Sequence, residues 1–429
     1  MNSMENRQEL YQGYVQILKN ELIPAMGCTE PIALAYAAAT AREVLNEMPT
    51  RVRILVSGNI IKNVKSVIVP NTGGMKGIPA AAAAGIVAGD ASRRLEVLSR
   101  VTEEQQVQMK AYLDATPIEV EPVERGHIFD IEVRVYSENH KVAVRIVDFH
   151  TNIVTIRMDG KELPVEPQSC ADAPVVDIDP TILNVEDIVH FADEADLEWV
   201  RSTLDRQIQY NMAIAEEGMR NSYGANVGKV LLAAYGDDVK VKARAYAAAG
   251  SDARMNGCEM PVVICSGSGN QGMTASIPVI IYAREYGIDQ ERLYRALLVS
   301  NLCTIHLKTG IGRLSAYCGA ISAGCGSGAG ITYLLGGGFK EVAHTLVNSL
   351  AIVSGIVCDG AKASCAGKIA SAVDAGILGY HMYQMGNQFV GGDGIVKKGV
   401  ENMIDTVGRL AREGMAETDK EIISLMVED

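Results

Sequence analysis

The stretch "GHIFDIEVRVYSENHKVAVRIVDFHTNIVTIRMDGKEL", residues 126–163, alternates apolar and polar positions through three runs. Turn formers interrupt it at Ser137–Asn139, Thr151–Asn152 and Asp159–Gly160. Alternation of period two buries one face of a strand and wets the other, and the polar breaks supply reversals. The pattern predicts an antiparallel meander. Upstream, "RVRILVSG" and "VKSVIVP", within 51–70, alternate in the same way and read as strands. Between them and the meander lie the loop "NTGGMKG" (71–77), an Ala-rich helix and a second helix over 103–114.

Outward in both directions the period changes to that of helices. Residues 5–23 and 29–46 carry helical spacing, broken by Pro24 and Gly27, and Cys28 falls at the start of the second helix. The segment 164–180, "PVEPQSCADAPVVDIDP", reads as a proline-rich linker. Beyond about residue 181 strand patterns disappear, and ten or so helices follow, joined by Gly-rich loops. The expected fold class is α+β: a large all-α domain with an α/β module containing an antiparallel meander. Residues 1–50 are expected to pack on the helical domain, with the module over 51–164, the linker over 165–180 and the helical domain over 181–429.

The chain is 48% hydrophobic but only 5% aromatic, with 42 Gly, one Trp and five Phe. Its core must therefore rest on small and aliphatic side chains. A net charge of −13 repels phosphate backbones and argues against a nucleic-acid partner. The N-terminal stretch has scattered charges and no apolar core of a signal peptide. The longest apolar stretch, 346–358, is too short to span a bilayer. A cytoplasmic protein without membrane association is expected, acting on a small molecule; association as a homodimer stays open. In a reducing compartment the nine cysteines serve as buried thiols, metal ligands or reactive groups.

"NTGGMKG" and "CSGSGNQG" (265–272) each precede a helix, where free backbone N–H groups suit a carboxylate or phosphate. Neither fits a P-loop or a dinucleotide fingerprint, and tight helix packing explains each equally well. They make Asn71, Thr72, Gly73, Gly74, Ser266, Ser268, Asn270 and Gln271 candidate binding residues. Lys308 and Arg313 are the cations nearest Cys318 in sequence, with a solvated face as the competing reading.

Three cysteine pairs, 258/265, 318/325 and 358/365, are spaced by seven. In a helix that is one face and about 10 Å. Cys258, Cys265, Cys303 and Cys325 read as small buried apolar residues. Cys170, in the linker, has no evident role. "CDGAKASC" (358–365) differs, because its Asp-Gly turn can swing both sulfurs toward one point. With seven His in the chain and no CxxC, a thiolate-only site favours an iron–sulfur cluster or zinc.

The motifs "MGCTEP", "YCGAISAGCG" and "VCDGAKASC" resemble the L-cysteine desulfidase family, related to the catalytic α region of the iron–sulfur L-serine dehydratases. The resemblance runs over essentially the whole chain. It implies a [4Fe–4S] cluster held by Cys318, Cys358 and Cys365, with Cys28 as the base. The implied activity is β-elimination of L-cysteine to hydrogen sulfide, ammonia and pyruvate. L-Serine dehydration is the close alternative, and a non-enzymatic metal-binding or redox-sensing thiol protein is the distant one. The dehydratases' capping terminal cysteine has no counterpart in "SLMVED", and their Ser-His-Thr motif is not found here, which points to the desulfidase branch. Cys28 at a helix start is expected to have a lowered thiol pKa.

Overall fold

The computed structural model describes residues 2–165, 178–312 and 315–427. Most of the linker, Cys170 included, and Arg313 lie outside them. In chain order the first half runs α1 (Asn2–Glu21), β1 (Pro24–Met26), α2 (Thr29–Leu45), β2 (Arg51–Val56), α3 (Gly58–Val64), α4 (Gly77–Ala88), α5 (Glu103–Ala115), β3 (Ile118–Pro122), β4 (Asp130–Tyr136), β5 (Lys141–Val147), β6 (Ile153–Met158) and β7 (Lys161–Leu163). The second half holds α6 (Val185–Glu194), α7 (Arg201–Arg220), α8 (Val227–Tyr235), α9 (Val239–Met255), β8 (Pro261–Val263), α10 (Gly269–Tyr286), α11 (Gln290–Ile311), α12 (Gly319–Leu334), α13 (Phe339–Val353), α14 (Cys365–Gln384), α15 (Val400–Arg409) and α16 (Ala416–Val427). The fold is α+β, and among the described residues no helix is long and apolar enough to cross a membrane.

The meander forms with its reversals where the sequence breaks. Six strands pair in the order β3-β2-β4-β5-β6-β7, antiparallel except for β2 with β3. Ile131, Val133 and Val135 alternate into the core beside Val142, Val144 and Ile146. The Ala-rich α2 and α4 lie against them, their short side chains letting backbone approach backbone. The opposite face of the sheet is polar and carries ion pairs around two buried carboxylates: Arg145 grips Asp130, while Arg125 and Arg134 share Glu132.

Three expectations differ. "VKSVIVP" is not a strand: Val64 closes α3, and the rest is a loop with one isolated bridge, Ile68 to Lys76. Its valines alternate because Val64, Val67 and Val69 are buried from irregular backbone, not because they pair. The region beyond 181 is not free of strands. Val262 pairs antiparallel with Ala25, a three-residue ribbon too short to show a period. Finally, α1 and α2 part company. Tyr11 and Tyr14 of α1 pack edge-on against Phe191 in the helical body, whereas α2 belongs to the core under the sheet.

Candidate active site

The β1–β8 ribbon sets two chain segments side by side: the one that ends at Cys28 and the one that begins at Cys265. Cys265 and Ser268 then close a tight turn by reciprocal backbone bonds, with Ser266 at φ 49° and Gly267 at φ 78°. Positive φ at both central residues is the geometry that reverses a twisted ribbon. The Thr29 hydroxyl donates to the Gly267 carbonyl at 3.2 Å, so the first residue of α2 is tied to this turn. A cavity of about 120 Å³ opens between them, lined by Cys28, Cys318, Cys358 and Cys365 together with Ser266, Ser268, Asn270, Gln271 and Lys308.

Cys318 and Cys358 meet because their loops run antiparallel. The Cys318 N–H donates to Ile356 O at 3.1 Å, the Cys358 N–H donates to Ala316 O at 2.5 Å, and Tyr317 bridges Val357. The buried Cys318 thiol donates to the Cys358 sulfur. That bond holds Cys358 well below the usual thiol range, with help from the Lys62 and Lys308 cations and the Gly360 N–H, while it keeps Cys318 protonated.

The loop to Cys365 is locked from both sides. Asp359 accepts from Lys362 and Lys368, and Lys368 also donates to Val357 O at 2.8 Å. Gly360 sits at φ 92°, and a Cβ there would lie 2.1 Å from the Lys62 carbonyl, so only glycine lets α3 approach this loop. Cys365 opens α14, its thiol 3.6 Å from Gly360 O; burial pushes its pKa up. Cys258, Cys265, Cys303 and Cys325 are buried and do not line the cavity, in keeping with a packing role.

Cys28 caps α2 backbone-first, without a side-chain cap bond, and packs beside Cys365. The expected lowering of its pKa is corrected here. Burial drives the thiol well above its ordinary value, and Glu30 adds to this, outweighing the helix end and the Arg254 cation. The thiol donates to Glu30 Oε2 at 3.2 Å, and Asn63 holds the other carboxylate oxygen at 3.2 Å.

The two glycine loops separate. "CSGSGNQG" faces the cavity, but Asn71, Thr72, Gly73 and Gly74 do not line it. Asn71 donates to Leu98 O and Thr72 to Val69 O, so that loop spends its polar groups on its own folding. Sequence reasoning also missed three charged lining residues, Glu30, Lys62 and Arg254, along with His150 and Phe129. Phe129, just before β4, and His150, in the β5–β6 turn, meet edge-on, which brings the sheet module to the cavity wall.

The donor set at Cys318, Cys358 and Cys365 is three buried or half-buried thiols with a thiolate already favoured among them and two lysines alongside. Among the described residues no three Cys, His, Asp or Glu side chains are drawn close enough to hold a single metal ion. The thiols share a cavity wall and not one point.

A family profile described as serine dehydratase alpha chain matches residues 92–424. A UPF0597 protein of Desulfitobacterium hafniense (strain Y51) is 60% identical over 99% of this chain and 98% of its own length. UPF0597 proteins of Lachnoclostridium phytofermentans and Treponema denticola are 52% and 47% identical, covering 97% and 98% of this chain and 100% and 98% of theirs. The chain belongs to the serine dehydratase alpha-chain family, and within it to the UPF0597 group.

Proposed function

We propose that the protein is an iron–sulfur-dependent lyase that eliminates sulfide from L-cysteine, giving hydrogen sulfide, ammonia and pyruvate. The observation that supports this is the meeting of Cys28, Cys318, Cys358 and Cys365 in the wall of one cavity, although Cys28 and Cys318 are 290 positions apart (318 − 28). Thiols that share a cavity wall suit a multi-atom cluster better than one zinc ion. Cys318, Cys358 and Cys365 would hold a [4Fe–4S] cluster, which would supply a Lewis acid for the departing β-substituent.

The chain's own residues do the rest. Lys62 and Lys308 favour the thiolates that such a cluster needs. Ser268 makes no side-chain cap bond to α10, so N–H groups in the first turn are left for a carboxylate, with Ser266 and Asn270 beside them. The Cys28 thiol hands its proton to Glu30 Oε2, its hydrogen-bond acceptor, and the Cys28 sulfur then takes the substrate's α-proton. Phe129 and the half-buried turn around Gly267 form part of the cavity wall.

The family match favours a second reading, elimination of water from L-serine, which needs the same groups. Anaerobically reconstituted protein assayed with L-cysteine and L-serine side by side tests both. A brown protein releasing sulfide and pyruvate from L-cysteine is expected. Pyruvate from L-serine alone selects the second reading, and a colourless or inert protein rejects both.

A further inference from the structure

Arg254 ends α9 with its side chain in the cavity wall, and the residue is only 3% exposed. A buried guanidinium ordinarily has a carboxylate beside it, because an unpaired buried charge is strongly unfavourable. Here, among the described residues, no carboxylate lies within ion-pairing distance. The hydrogen bond found is from Nη1 to the Asn270 amide oxygen at 3.2 Å, and Nε is buried with no partner. The fold makes room for this cation. A Cβ on Gly269 would stand 2.4 Å from Arg254 Nε, so the first residue of α10 must be glycine for the guanidinium to lie against the helix start. A positive side chain and the positive end of a helix are thus held together facing one cavity, an arrangement that repels itself until an anion arrives.

Next to it, Gln271 is 5% exposed and its amide oxygen has no donor. Gly319 leaves the space for that amide, since a Cβ there would come within 2.7 Å of it. A positive group with unused N–H donors and, one residue along the helix, an unused acceptor match a carboxylate and an ammonium on one carbon.

We infer that Arg254, at the first turn of α10, is the carboxylate anchor of this cavity, with Gln271 receiving the ammonium, so that the ligand is a free α-amino acid. This rests on the amino-acid lyase reading above and names its missing cation. It also sets a selectivity: amines and amides that lack the carboxylate are excluded even when they carry the same thiol.

The test compares L-cysteine, L-cysteinamide and cysteamine on the reconstituted holoprotein and on Arg254→Lys, Arg254→Ala and Gly269→Ala. The expected result is that wild-type protein prefers L-cysteine to L-cysteinamide on the order of 100-fold in kcat/KM, and that Arg254→Ala loses this preference, mainly through KM. Methylguanidine is expected to restore turnover to Arg254→Ala, a rescue that a misfolded or merely repacked variant does not show. Gly269→Ala, which keeps the charge but displaces it, is expected to raise KM as well. If the wild type turns over L-cysteine while Arg254→Ala keeps its KM and its preference, the anchor is wrong and the lyase reading stands. If no substrate is turned over but L-cysteine shifts the melting temperature in an Arg254-dependent way, the anchor stands and the lyase reading fails. Absence of both turnover and binding overturns both.

Discussion

Cys28 sits where the dipole of α2 favours a thiolate, yet its sulfur is almost fully covered and faces the Glu30 carboxylate at 3.2 Å. Desolvation and the like charge both disfavour the anion, and together they outweigh about half a unit charge spread over a helix end. Replacing Glu30 by Gln removes the second cause and leaves the first. Thiolate formation at Cys28 is expected to move to lower pH in Glu30→Gln. The pH dependence of alkylation, followed peptide by peptide in the metal-free protein, reads this directly; an unchanged or higher midpoint contradicts it. Cys28→Ser is expected to keep the visible absorbance of the cluster and lose nearly all turnover, since a hydroxyl is a far weaker proton carrier than a thiol near neutral pH. Cys318→Ser is expected to lose iron instead. The cysteines were legible in the sequence because unusual residues in fixed spacing leave a pattern. Arg254, Lys62 and Glu30 were not, because a single charge in a helical stretch looks the same whether it faces water or a cavity. Asn71 and Thr72 misled for a related reason. A glycine loop before a helix has the same composition whether its polar groups point outward or, as here, back to Leu98 and Val69.

Among the elements, the loop 358–365 and the start of α8 show what backbone placement demands. Gly360 needs a left-handed φ of 92° and has the Lys62 carbonyl where a Cβ would be. Gly360→Ala is expected to lower stability by roughly 1–3 kcal/mol and to cut iron retention, because the loop must move away from α3; unchanged unfolding and iron content argue against this account. At α8, the Asp252 carboxylate accepts the Gly228 N–H at 3.0 Å, but its other oxygen is buried without a partner. Burial raises its pKa from 3.8 to about 6. The folded state therefore holds this proton more tightly than the unfolded chain, so stability falls as pH rises from about 4 through 6. Asp252→Asn is expected to flatten that dependence and to gain on the order of 2–3 kcal/mol at neutral pH. Denaturant melts at pH 4.5 and 7.5 show it, and a loss of stability at pH 7.5 contradicts it. The elements best read from sequence were those whose period ran longest, the meander above all. "VKSVIVP" imitated a strand because buried loop valines also alternate, and β1 and β8 are too short to have a period.

Across the whole molecule, the first turns of α2, α10, α12 and α14 begin at the cavity, each without a side-chain cap, and Lys62, Lys308 and Arg254 add positive charge to a chain whose net charge is −13. Glu30 is the one carboxylate among the lining residues, so three cations and four helix starts outweigh it and the cavity favours anions. Lys62 joins the sheet module to this site and, through Asp419 on α16, to the end of the chain. Its side chain is 1% exposed, against 15% for Asp419. Asp419→Ala strands a buried cation and is expected to cost about 3 kcal/mol. Lys62→Met leaves only a partly wetted carboxylate and is expected to cost less. If the pair is structural, the double variant recovers most of the stability lost by Asp419→Ala, since two uncharged groups replace two buried charges. It should not recover Cys358, which has lost a cation that lowered its pKa. Denaturant unfolding of the four proteins gives the coupling, and alkylation of Cys358 against pH in the same set gives the electrostatic effect. Lys62→Met and the double variant are expected to share a raised Cys358 midpoint, with Asp419→Ala at or below the wild-type value. A raised midpoint in Asp419→Ala, or none in Lys62→Met, means that Lys62 serves the fold alone and Cys358 owes its thiolate to Cys318.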